Sequence, residues 1–150
     1  RCDLKNVNFN TYDAVVVSDY NKGFLSEKDI EFITNKHDYV FVDTKKILGP
    51  WCKKALYIKI NINEYNKTKH NITSDIEKKL IVTLGSGGCK HSGRTYPVPR
   101  VDIKDTSGAG DTFVSGLVVK YIQTNYIEKS IVFANECATK VVQKRGVEVV

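Results

Sequence analysis

Short runs of β-branched and aliphatic residues, each closed by a polar turn, recur through the first half of this chain. Ala14-Val15-Val16-Val17 leads into Ser18-Asp19-Tyr20-Asn21-Lys22-Gly23, and Tyr39-Val40-Phe41-Val42 leads into Asp43-Thr44-Lys45-Lys46. Leu56-Tyr57-Ile58-Lys59-Ile60 is followed by Asn61-Ile62-Asn63-Glu64, and Leu80-Ile81-Val82-Thr83-Leu84 stops at Gly85-Ser86-Gly87-Gly88. Nearly continuous apolar runs of this length predict strands buried on both faces, as in a parallel sheet. Between the first two, Ser26 as N-cap, Asp29 three residues on, and Leu25 with Ile30 as a hydrophobic staple predict a helix. Strand, helix, strand implies a right-handed parallel crossover. In each case the polar residues follow the strand's carboxyl end, where open parallel sheets place their ligands.

The second half changes period. Ser74-Asp75-Ile76-Glu77 has capping-box spacing for a short helix, and Gly49-Pro50 breaks the chain before Trp51, whose expected role is packing. Cys89 to Val101 predicts one or two short antiparallel strands around Ser92-Gly93-Arg94, with Pro97 and Pro99 keeping the second part extended. Val114, Leu117, Val118, Tyr121 and Ile122 repeat at i, i+3, i+4, i+7 and i+8, a helix that Asn125 stops. A last helix is expected from about Glu128 to Lys144, with Ile127, Ile131, Ala134, Ala138, Val141 and Val142 along one face. Gly146 is expected to end it, with an edge strand over 147–150. The fold class is α/β, a mostly parallel sheet flanked by helices.

The chemistry concentrates at Asp105-Thr106-Ser107-Gly108-Ala109-Gly110-Asp111-Thr112-Phe113, where a polar loop enters the first of these two helices. Unpaired backbone N–H groups point out of a helix N-terminus, the macrodipole adds positive charge, and glycine lets an anion come close. Such an end can hold a phosphate in flight. An aspartate just after the cradle would be repelled by a resting anion, so its chemical use is to take a proton from an attacking hydroxyl. Asp111 is therefore the candidate base, although a glycine turn with an aspartate cap would have the same composition. The Lys-Ser/Thr ending of a P-loop is missing, and Phe113 stands at the third glycine position of G-x-G-x-x-G, so neither of those folds is implied.

Composition narrows the alternatives. A chain of 150 residues, 41% hydrophobic and 27% charged, is one ordinary globular domain with a core of useful size. No run is long and apolar enough for a membrane span, and Arg1-Cys2-Asp3-Leu4-Lys5-Asn6 lacks a signal peptide's apolar segment, so the expected location is the cytoplasm. The absence of methionine leads us to expect a fragment or a processed chain. Cys2, Cys52, Cys89 and Cys137 form no C-x-x-C pair, which suggests free thiols and neither a zinc site nor a redox motif. The net charge of +6 comes from scattered lysines with no basic block among aromatics, which argues against a nucleic-acid partner.

The loop resembles D-T-x-G-A-G-D-x-F, the C-terminal signature of the ribokinase-like, or PfkB, carbohydrate kinases, and most of the chain from about Ala14 is similar to their C-terminal half. The resemblance implies a ribokinase-like fold and an ATP-dependent sugar kinase. Asp111 would be its general base, Gly108, Ala109 and Gly110 its anion hole, and Asp105 would position the loop or substrate. Asn61-Ile62-Asn63-Glu64 resembles the N-x-x-E motif, which implies that Glu64 and Asn61 arrange Mg2+ and the nucleotide phosphates largely through water; the same residues also suit a plain helix start. Thr83-Leu84-Gly85-Ser86-Gly87-Gly88 resembles the T-x-G-x-x-G nucleotide loop, implicating Thr83, Gly85 and Gly88, and Asn135 is a candidate contact beside the adenine.

Ser18 to Gly23 and the final helix are similar to the heptose-7-phosphate kinase domain of bacterial heptose kinase/adenylyltransferases. That likeness implies that Asp19 and Lys22 lie near the sugar or phosphate. Whole ribokinase-like enzymes also carry an N-terminal half with the lid and most sugar-reading residues, which has no counterpart here. The alternative is thus a non-catalytic nucleotide-binding or interaction module, whose exposed sheet edge would dock a partner and allow a homodimer.

Overall fold

Val15, Val16 and Val17 continue to Ser18 and Asp19 as strand β1 (Val15–Asp19), the first of six strands in a computed structural model that describes residues 3–99 and 108–148. Helix α1 (Glu27–Lys36) follows, then β2 (Val40–Thr44), β3 (Tyr57–Asn61), helices α2 (Ile62–Thr68) and α3 (Ser74–Glu77), and β4 (Leu80–Thr83). Strands β5 (Cys89–His91) and β6 (Arg94–Tyr96) precede α4 (Ala109–Thr124) and α5 (Ile127–Glu148). The six strands lie in chain order across one sheet, and β1 through β4 pair in parallel. The fold class is α/β with a mostly parallel sheet, as expected.

The chain divides into two compact units, one comprising the chain up to Thr83 with Lys90–Arg94, the other Leu84–Cys89 with the chain from Thr95 onward. In the first unit Phe41, Ile58, Ile60 and Ile81 are buried, which is why their strands read as continuous apolar runs. The α1 capping box forms as predicted: the Ser26 hydroxyl accepts the Asp29 N–H and the Asp29 carboxylate accepts the Ser26 N–H. Ile30 is fully buried, and Trp51 packs inside as expected. The register sets Asp19 beside Thr44 and Asp43 beside Lys59, so polar partners face each other at the carboxyl ends of β1 to β3.

In the second unit α4 packs on α5. Asn125 closes α4 in the left-handed region at φ 57°, its N–H bonded to the Tyr121 carbonyl, which confirms the expected stop. Ser92 and Gly93, at φ 50° and 77°, form the two-residue turn joining β5 to β6.

Two local expectations fail. The N-cap of α3 is Thr73, with Ser74 already helical, and no side-chain cap bond forms. Helix α5 runs through Gly146 to Glu148, so neither the stop nor an edge strand from Val147 is present; Val149 and Val150 lie outside the described residues. One helical glycine costs only about 1 kcal/mol relative to alanine, too little to end a long helix by itself.

Candidate active site

The carboxyl ends of β1, β2 and β3 carry paired charges. Asp19, buried at the end of β1, accepts the Asn21 N–H on Oδ1 at 3.0 Å and the Thr44 hydroxyl on Oδ2 at 2.7 Å. The Lys46 ammonium stands 3.2 Å from Oδ2 and donates to Asn21 Oδ1 at 2.9 Å. Only 9% of the Lys46 side chain is exposed, so these charges meet away from bulk water. The aspartate turn holds Asn21 in the left-handed region at φ 58°. Asp19 is thus a fastener for the loop that carries Lys22, and Lys22 itself is exposed. Of the two residues expected near the acceptor, Lys22 is the one presented to solvent.

Glu64 closes the capping box of α2. Its Oε1 accepts the Asn61 N–H at 2.8 Å, while Asn61 Oδ1 accepts the Glu64 N–H at 2.8 Å. Its Oε2 takes a hydrogen bond from the Lys45 ammonium at 2.9 Å. That bond, more than the charges of Glu64 and Asp43, holds the Lys45 pKa above its ordinary value, with burial opposing it. The helix-start and N-x-x-E readings of Asn61 and Glu64 are therefore compatible: one carboxylate oxygen orders the helix, and the other faces a cation. Asp43 and Lys59 add an ion pair at 3.7 Å.

Thr83 ends β4, its hydroxyl donating to the Ile60 carbonyl at 3.4 Å. In the second unit the chain turns back on itself over Gly85–Gly87: the Leu84 N–H bonds the Gly88 carbonyl at 2.8 Å and the Gly88 N–H bonds the Gly85 carbonyl at 3.1 Å. Gly88 sits at φ 85°, and a Cβ there would come within 1.9 Å of the Tyr96 carbonyl oxygen, so this position admits only glycine. Asn135 is buried and donates to the same Tyr96 carbonyl at 3.1 Å. It also bonds the Cys89 thiol, whose pKa burial pushes up to about 12 against that hydrogen bond. The Asn135 amide thus anchors the strand ends around the glycine turn.

Helix α4 begins as the glycine loop requires. Gly108, at φ 77°, is its N-cap and offers no side-chain cap; the first intrahelical bond runs from the Thr112 N–H to the Gly108 carbonyl at 2.9 Å. Ala109 and Gly110 open the helix, and Asp111 is exposed in its first turn. Asp105 lies outside the described residues.

Among the described residues no group of three or more His, Cys, Asp or Glu side chains is gathered to hold a metal. Magnesium needs no such group where phosphates complete its shell, since it keeps waters and takes only one or two carboxylates. Glu64 fits that limited role, because its Oε2 already faces a cationic group in Lys45. Lys45, Lys46 and Thr44 were not assigned a role from sequence, because their partners lie 19 to 27 positions away. The available signal was two consecutive lysines at a strand's carboxyl end.

Comparison with known proteins bears on the family and the fold. Fructokinase-1 of Oryza sativa subsp. japonica is 38% identical over 80 residues, covering 46% of this chain and 25% of that protein. The bifunctional protein HldE of Nitratiruptor sp. is 29% identical over 154 aligned positions, covering 90% of this chain and 33% of that protein. The structure of Arabidopsis thaliana ribokinase complexed with ribose and ATP superposes with a TM-score of 0.68 at 20% identity, over 89% of this chain and 51% of that one. The chain therefore spans a quarter to a third of these two curated relatives. Residues 8–149 match the pfkB family of carbohydrate kinases, and the chain belongs to that family.

Proposed function

We propose that this chain is the nucleotide-binding and catalytic part of an ATP-dependent sugar kinase. The observation that carries the reading is the start of α4, where a helix end with glycine as its N-cap and at its mouth has an exposed carboxylate, Asp111, in its first turn. In the reaction, Asp111 takes the proton of an acceptor hydroxyl. The hydroxyl oxygen bonds to the γ-phosphorus of ATP, the bond from that phosphorus to the bridging oxygen breaks, and ADP leaves. The Gly108-Ala109-Gly110 segment supplies N–H groups toward the charge that develops on the phosphoryl oxygens. Glu64 and Asn61 would hold magnesium through water, and the ion supplies positive charge to the nucleotide phosphates.

Thr83, Gly85 and Gly88 are assigned to the nucleotide and Lys22 to the acceptor. A sugar phosphate of the heptose-7-phosphate type is favoured as acceptor by the Ser18 to Gly23 segment, by the exposed ammonium of Lys22, and by the length of the match to HldE. Calorimetric titration with ATP, with and without magnesium, tests the reading. Magnesium-dependent binding by this chain supports it, whereas no binding by this chain or by the full-length protein carrying it refutes the kinase and favours an interaction module.

A further inference from the structure

Glu64 Oε1 is occupied by the Asn61 N–H, so Oε2 is the oxygen left to meet a cation or its hydration shell. The Lys45 ammonium stands 2.9 Å from that oxygen. Its side chain is 46% exposed, and its ammonium also lies 5.7 Å from the centre of the Tyr20 ring, so a second resting place adjoins the first. A unit positive charge within a few ångströms of a divalent ion repels it, and one carboxylate oxygen satisfies both only at that cost.

We propose that Lys45 competes with the divalent cation for Glu64. In this role Lys45 balances Glu64 when no metal–nucleotide is bound, and it must move aside when one binds. It thereby lowers the affinity for the metal–nucleotide complex relative to the bare nucleotide. The inference rests on the proposed function, in particular on Glu64 facing the cation.

The test is equilibrium binding of ATP by calorimetry, in magnesium and in chelator, to the full-length protein and to its Lys45→Gln, Glu64→Gln and doubly substituted forms. The readout is the ratio of the two affinities, and the Glu64→Gln background separates competition for Glu64 from any direct contact of Lys45 with phosphate, which would persist there. Glutamine at 64 preserves the capping box, so the helix start survives. Lys45→Gln is expected to raise the ratio about three- to tenfold. Glu64→Gln should bring it close to one, and adding Lys45→Gln to that variant should change nothing further. An unchanged or reduced ratio in Lys45→Gln, with wild-type binding intact, overturns the competition while leaving the kinase reading in place. Failure of the wild-type protein to bind ATP under either condition overturns both.

Discussion

Asp19 has few tolerable substitutions, because the Lys46 ammonium beside it has almost no access to water. Removing the carboxylate in Asp19→Ala leaves a buried cation without its counter-charge, a change expected to cost about 3–5 kcal/mol. Chemical denaturation measures this, and a loss below about 1 kcal/mol would show that Lys46 escapes to solvent. Thr44→Val removes one neutral partner of the same carboxylate and should cost less, about 1–3 kcal/mol. None of these partners was legible from Ser18 to Gly23, whose resemblance implied only that Asp19 lies near the sugar or phosphate. Its partners arrive from β2 through the parallel register, which local sequence does not display. Cys89 gives a prediction of pH dependence. The folded thiol keeps its proton to about 12 because it is buried, while an unfolded thiol releases it near the ordinary value of 9.0. Between those values the folded state binds more protons, so this residue's contribution to stability falls as pH rises through that window. Urea midpoints of the protein and of Cys89→Ala should diverge less as pH climbs from 9 toward 12; a constant gap would contradict the burial.

Elements were easier to read than their ends. The four parallel strands and α1 followed from apolar runs and one capping box, because burial on both faces and a reciprocal cap are both written locally. The start of α3 was misplaced because Thr73 and Ser74 are adjacent and both suit an N-cap, so the sequence offers two equal frames. The glycine turn after β4 was recognisable, but the reason for Gly88 was not: the Tyr96 carbonyl that excludes a side chain belongs to β6. Gly88→Ala combines a φ of 85° with that collision and should destabilise by more than about 2 kcal/mol. Gly85→Ala, also at positive φ but with nothing within 4 Å of the added Cβ, should cost only about 1 kcal/mol. Equal melting-temperature losses for the two would mean that the Tyr96 contact does not matter.

At the scale of the molecule, the parallel pairing and the polar carboxyl edge were recoverable because a parallel sheet demands crossovers and its ligand edge is marked by polar residues, whereas the strand order was not written locally. The family match over residues 8–149 agrees with that reading. The charge pairing of Lys45 with Glu64 and of Lys46 with Asp19 emerged only once the strands were side by side. The account turns on Asp111 as the group that activates the acceptor. Its most direct test is transfer of the γ-phosphoryl group of labelled ATP to a panel of sugars and sugar phosphates, by the full-length protein and by its Asp111→Asn form. Labelled sugar phosphate is expected from the wild-type protein, with about 10²–10⁴-fold lower turnover and nearly unchanged ATP affinity in the variant. Equal turnover by Asp111→Asn would contradict the account.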